Sequence, residues 1–426
     1  MKKILIFCLA LIMCVSAFSG CGKKEANSDG AITLRVGMPN GEAITAWEIV
    51  ENFQKDHPEI KLDIDETPWG EFKEKVKLQT TSGNAPALFI SDSGHIATMG
   101  AMGNALDLSD KVKKDLDVSE YSDTLFAGAD SEGKLWGIPH GINSLAVFYN
   151  KNLFDEAGLD YPKEDWTFDD MMAMAEKLTK DVNGDGEIDQ YGIMYGTNIS
   201  SGWLPFVLAS GGAPLDETRT KSMFNDKNTI EGLKKFIEPR TKKITCDAEW
   251  AAANGGTAAF YRGKIGMYIA LQSNVTVIET NKPAELNYDA QIMPYGETGK
   301  RPCVYVPNLW VINAQATEAE QEAAWTFLKY YLNDESQKIL ADTLLDGVPV
   351  KNSALEYLAS KETIPANMRA FYSGLDEFGS TMFENGTFEE WRPKADEIIL
   401  KMLNGLVDFD KGIDDLHKTV TKVLEQ

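Results

Sequence analysis

The most compact set of metal-type donors in the chain is the run Asp181-Val182-Asn183-Gly184-Asp185-Gly186-Glu187-Ile188-Asp189. Its order, D-x-N-x-D-G-x-I-D, puts oxygen side chains at positions one, three, five and nine of a calcium loop and glycine at six for the sharp turn. Asp181, Asn183, Asp185, Glu187 and Asp189 are the candidate ligands of a structural Ca2+. Position twelve is Gly192, where a bidentate glutamate would stand, so a further carboxylate has to come from elsewhere in the chain. An Asx-rich turn without metal accounts for the same residues through local hydrogen bonds alone.

Other reactive groups are scattered. The four histidines, His57, His95, His140 and His417, are not spaced as a metal pair, and the five cysteines, Cys8, Cys14, Cys21, Cys246 and Cys303, form no CxxC. A single Cys246–Cys303 bridge is left open. The sequence has no GxSxG elbow, HExxH helix, P-loop or GxGxxG turn. No catalytic residue or catalytic cofactor is assigned. With 65 acidic residues, the paired carboxylates of a glycosidase are available by count, so a secreted hydrolase stands as an alternative.

The 426 residues are more than one core of ordinary size requires, which predicts two lobes. A net charge of −23, from 42 basic and 65 acidic residues, opposes binding to nucleic acid, because the counterion-release term that drives such binding needs clustered cations. Lys2 and Lys3 precede an apolar stretch from Ile4 to Val15, too short to span a bilayer of ~30 Å as a helix and laid out as a secretory signal. Phe18-Ser19-Gly20-Cys21 resembles a bacterial lipobox, so residues 1–20 are expected to be a lipoprotein signal peptide and Cys21 a palmitate-type lipid anchor. Residues 21–30 are small and polar, a flexible tether. Losing two lysines with the signal takes the net charge from −23 to −25.

These groups must be positioned by alternating strands and helices. Thr33 to Met38 alternates with period two and stops at Pro39-Asn40-Gly41; Trp47, Val50, Phe53 and Gln54 follow at helical spacing up to His57-Pro58. Ile60, Leu62 and Ile64 mark a second strand, Phe72, Val76 and Gln79 a second helix, and Ala87 to Ile90 a short buried strand. This β-α-β-α-β order predicts a largely parallel sheet covered by helices. Leu145 to Tyr149 reads as a strand, Thr167 and Thr317 open capped helices, and Ile413, Leu416, Val420 and Val423 stripe a C-terminal helix.

Several motifs then occur in one order: Phe53-x-x-x-His57-Pro58, Trp69-x-x-Phe72, Thr81-Ser82-Gly83-x-Ala85-Pro86, Gly133-Lys134-Leu135-Trp136-Gly137-Ile138-Pro139, Tyr149-Asn150-Lys151, Gly211-Gly212, Phe260 to Met267, and Gly347-Val348-Pro349. Together they resemble the extracellular solute-binding proteins of carbohydrate ABC importers, the maltose-binding-protein family. Pro86-Ala87 and Gly266 depart from the family pattern at structural positions. The resemblance implies an α/β, two-lobed periplasmic-binding-protein fold, each lobe a mainly parallel sheet flanked by helices and joined by hinge strands near Gly141–Ser144 and Cys303–Asn308. The lobes are expected at 31–141 with 309–354, and at 142–308 with 355–426. A monomeric receptor would capture a mono- or oligosaccharide between them and deliver it to ABC permease subunits by hinge closure. A binder of a non-sugar solute is the nearer alternative.

A sugar offers C–H faces to aromatic rings and hydroxyls to fixed polar groups. Trp47, Trp136, Trp166 and Trp325 read as core. Trp391 has a spacing to Asn404-Gly405 that resembles a sugar-stacking tryptophan of the family, and Trp203 falls near another aromatic contact. Tyr305, Asn308 and Trp310 lie at the second hinge, and Trp69 completes the aromatic candidates. Strand ends supply Ser91, Asp92, His95, His140 and Asn143, the last where the family uses a carboxylate; Gln272 and Ser273 fall at a further family contact. This set suits an uncharged polyol.

Overall fold

The computed structural model describes residues 31–40, 43–130, 133–343 and 347–426, with the side chains of 43–46 and of Trp69 outside the description. The expected signal, the tether, Cys21 and the side chain of Trp69 therefore lie outside the described residues. Ile32–Asn40 (β1), Ile60–Pro68 (β2) and Leu88–Asp92 (β3) form a parallel sheet in the order β2-β1-β3. Between them Ala43–Asp56 (α1) and Trp69–Thr81 (α2) bury Val50, Phe53, Phe72 and Val76, as the helical spacing predicts. Ser93–Ala101 (α3) follows β3 directly.

Two details differ from expectation. β1 runs on through Pro39 and Asn40, because its partner β2 continues to Pro68 while β3 pairs only with Val36 and Gly37; Pro39 lies beyond that stretch, where its missing N–H breaks no ladder to β3. Trp47 is 41% exposed and not core, with its indole N–H donating to Glu66 at 3.2 Å.

Ile138–Asn150 (β4) and Cys303–Ile312 (β8) run through both halves of the sheet. β8 pairs antiparallel with β3 at one end and with β4 over Ile138 to Ser144, where the register shifts around His140 between Pro139 and Gly141. The far half of β4 pairs with Ile265–Leu271 (β6) and Tyr288–Gln291 (β7), and β6 pairs in parallel with Tyr191–Met194 (β5). Gly379–Ser380 (β9) lies beside Cys303 and Val304. One lobe is thus built on β1 to β3 and the other on β5 to β7, with β4 and β8 common to both.

Along β4, Leu145 and Val147 face one core cluster and Ala146 and Phe148 another, the period of two that a strand buried on both faces must show. Helices Phe168–Leu178 (α4) and Lys227–Thr241 (α5) pack on the second lobe, burying Met171, Leu178, Leu233 and Phe236. Glu318–Tyr331 (α6), Asp334–Thr343 (α7) and Asn352–Ala359 (α8) return to the first lobe. α8 spans residue 354 and packs on α7, so the chain stays with the first lobe through Ala359. Phe388–Leu403 (α9) and Phe409–Leu424 (α10) then close the second lobe, α10 burying Ile413, Leu416, Val420 and Val423 as its stripe predicts. Each such buried side chain contributes roughly 1.5–3 kcal/mol. The capping boxes at Thr167 with Asp170 and Thr317 with Glu320 are both formed. Cys246 and Cys303 are free thiols, so the possible bridge is absent; burial pushes their pKa values up to about 11 and about 12.

Candidate functional site

The lobes meet where the start of α3 faces the start of α9. A Cβ on Gly94 would stand 2.5 Å from the Phe388 ring, so only glycine lets the two helix starts approach this closely. Beside it Ser93 of the first lobe donates its hydroxyl to the buried carboxylate of Glu384 in the second. The segment after Phe126 forms the opposite wall: Gly128 packs against the Gly137 backbone, and Trp136 donates its indole N–H to Asp130 at 3.0 Å.

Arg219 reaches the same place from the second lobe on a turn made by Asp216, whose carboxylate accepts the N–H groups of Thr220 at 2.8 Å and Lys221 at 3.0 Å. Its backbone is left-handed, with φ 57°, a conformation that costs a non-glycine residue energy and that clusters at functional sites. Asn385 donates to its carbonyl at 2.7 Å, and its guanidinium donates to the Glu384 carbonyl at 2.9 Å.

Between these walls lies a cavity of about 220 Å³. Phe126, Ala127 and Ala129 line it from the first lobe, and Arg219, Ser380, Thr381 and Phe383 from the second, with Tyr305 of β8 at its base. A smaller space of about 20 Å³, flanked by Ser93, Asp130, Trp136, Arg219 and Glu384, adjoins it. Phe126 is 43% exposed and presents a ring, and the hydroxyls of Ser380, Thr381 and Tyr305 present hydrogen-bonding groups. Burial pushes the Tyr305 pKa up, keeping its O–H as a donor. A cavity of about 250 Å³ elsewhere, lined by Tyr195, Arg240, Asp247 and Tyr268, touches the second lobe alone.

Of the residues expected at a ligand, Tyr305 lines the interlobe cavity. Ser91, Asp92 and His95 stand next to Ser93 in the chain but do not line the cavity. Ser91 is buried in register with Leu309, and Asp92 caps α3 by accepting the His95 N–H at 3.0 Å while its other oxygen pairs with Lys73. His95 is largely buried with no hydrogen-bond partner for Nε2, and burial holds its pKa below the ordinary value against the pull of Asp92 and Glu389. Asn308 sits in the sheet opposite Asp92. Asn143 and Ser273 bond each other reciprocally at 3.0 and 3.1 Å, beside the fully buried Gln272.

The remaining aromatics are elsewhere. Trp203, Trp310 and Trp391 are each 0% exposed in core clusters. The Trp203 indole donates to Asp396 at 2.7 Å and that of Trp391 to Asn385 at 3.2 Å, while Trp310 packs on Phe327 and Tyr331. In this arrangement none of the three offers a face to the cavity; their large apolar area is worth more in the core than at its rim. His140 is likewise buried, stacked on Tyr331 at 5.6 Å. Spacing did not single out Phe126, Arg219, Phe383 or Glu384. Trp136, which reads as core in its motif, flanks the smaller space.

At 181–189, Asp181 accepts the N–H groups of Gly184 at 2.7 Å and Gly186 at 2.8 Å, Asn183 accepts that of Asp185, Asp185 that of Glu187, and Asp189 those of Val182 and Asn183. Those backbone bonds hold the Asp181 pKa below the usual carboxylate range. Among the described residues no group of three His, Cys, Asp or Glu side chains is gathered closely enough to hold a metal ion without rearranging.

A model of the bacterial extracellular solute-binding protein family matches residues 41–338. The galactooligosaccharide-binding protein of Bacillus subtilis (strain 168) is 23% identical, over 98% of this chain and 96% of its own length. A maltooligosaccharide ABC transporter solute-binding lipoprotein of Streptococcus pneumoniae is 26% identical, over 83% and 81%. Among solved structures, an ABC substrate-binding protein from Listeria monocytogenes in complex with cycloalternan superposes with a TM-score of 0.78 at 21% identity, covering 93% of this chain and 99% of that one. Among the described residues no helix is long and apolar enough to cross a membrane.

Proposed function

The chain belongs to the bacterial extracellular solute-binding protein family, and we propose that it is the sugar-capturing component of an ABC importer. It takes a mono- or oligosaccharide into the interlobe cavity and presents the closed form to the permease. The observation that carries this reading is a cavity walled by both lobes, with Phe126, Tyr305, Ser380 and Thr381 supplying a ring and hydroxyls. Ligand contacts on both walls favour the closed state, which is the differential affinity that hinge closure requires. The relatives named for galactooligosaccharides and maltooligosaccharides support sugar as the class.

A thermal-shift screen over mono- and oligosaccharides tests the assignment, since a ligand at 100 times its Kd adds about 2.7 kcal/mol of stability. A raised transition with sugars is expected. A shift with amino acids or peptides instead would sink it. Binding without turnover is expected too: an oligosaccharide that raises the transition is recovered uncleaved.

The protein works outside the cytoplasm, held to the membrane by lipid on Cys21; the lipobox-like Phe18-Ser19-Gly20-Cys21 and the lipoprotein relative support this. Cys21→Ala is expected to release the protein from membranes and abolish incorporation of labelled palmitate. For the loop at 181–189 we propose a structural calcium clip, supported by the D-x-N-x-D-G-x-I-D order. Titrating chelator-treated protein with calcium should give heat and raise the melting temperature; neither would leave a plain Asx turn.

A further inference from the structure

Arg219 is unusual in a chain of net charge −23. Among the described residues no carboxylate oxygen lies within ion-pair distance of its guanidinium, whose one hydrogen bond goes to a main-chain oxygen, Glu384 O at 2.9 Å. Its remaining N–H groups are not buried orphans, and its side chain lines both interlobe spaces. Three described acids nearby have hydrogen-bond donors of their own. Glu384 accepts from Ser93, Asp130 from Trp136 and from the Lys134 N–H, and Asp376 from the Asp123 N–H. Among the described residues Arg219 is the one charged residue lining the larger cavity of about 220 Å³.

We propose that the cleft selects an acidic saccharide, with the carboxylate of a uronic acid residue taking a two-pronged pair with Arg219 and the ring lying against Phe126 and Phe383. This rests on the sugar-binding reading above and names the class of sugar. Guanidinium matches carboxylate geometry with two parallel N–H bonds, so a partly desolvated arginine without an acid of its own rewards a ligand that brings one. The strained backbone at Arg219 and the Asp216 turn hold that fork in place before the ligand arrives.

Calorimetric titration of the full chain with galacturonate and glucuronate oligomers, against galactose and glucose oligomers of equal length, tests this. The uronates are expected to bind at least tenfold tighter than their neutral counterparts. Arg219→Gln should bring the two classes level, while Arg219→Lys, keeping charge but not fork, should retain part of the difference; melting temperatures of both variants confirm folding. Neutral sugars binding as tightly as uronates to the wild type would overturn the acidic preference and leave sugar binding standing. Sulfated sugars outranking uronates would overturn the carboxylate assignment. Binding of no saccharide would overturn both readings.

Discussion

A left-handed backbone at Arg219 and a fully buried indole at Trp391 lie close together in the second lobe and fall to opposite sides of the site's boundary. Spacing in the sequence brought Trp391 forward and passed over Arg219. Whether a large ring faces ligand or core depends on long-range packing, and a positive φ in a turn leaves no mark in residue type when the residue is arginine. Phe126 and Glu384 escaped notice for the same reason: each gains its role only when the lobes meet. Trp391→Ala is expected to cost about 3–5 kcal/mol in chemical denaturation, as loss of a buried aromatic does. A variant of unchanged stability with weakened ligand binding would return Trp391 to the cleft. His95 gives a pH signature. Its folded pKa lies below the ordinary 6.5 chiefly through burial, so as pH falls below that value the unfolded chain binds a proton the folded one lacks, and stability is lost as pH drops through the folded value. His95→Gln should flatten the fall of melting temperature between about pH 7 and pH 5; an unaltered slope would show that other groups set it.

At the scale of elements much was legible. The β-α-β-α-β start, the capping boxes at Thr167 and Thr317 and the apolar stripe of α10 are local patterns with a fixed period or a fixed offset, and each is formed. The extension of β1 through Pro39 was not legible, since it depends on how far β2 runs alongside and where β3 stops. Nor was the bulge at His140, which is a property of the β4 and β8 pairing. Gly347 joins the two levels. It has φ 116°, a Cβ there would stand 2.5 Å from the Ile142 carbonyl, and the next residue, Val348, bridges Ile142 on β4. Gly347→Ala is therefore expected to destabilise by more than about 1 kcal/mol, read as a lower denaturant midpoint. A neutral result would mean that this junction gives way easily and does not fix β4.

Across the whole molecule, β4 and β8 are the continuous strands shared by both lobes, so a relative motion of the lobes has to pass through them. Contacts between α3 and the start of α9, and the Ser93 to Glu384 bond beside them, draw the lobes together next to the cavity. A ligand that fills the cavity from both walls should add to those contacts and shift the population toward the closed form, whereas one bound in the single-lobe cavity near Arg240 would not. The most direct test is small-angle scattering of the protein with and without a saccharide that raises its melting temperature. The radius of gyration should fall when the sugar binds; unchanged dimensions at saturating ligand would contradict capture by interlobe closure.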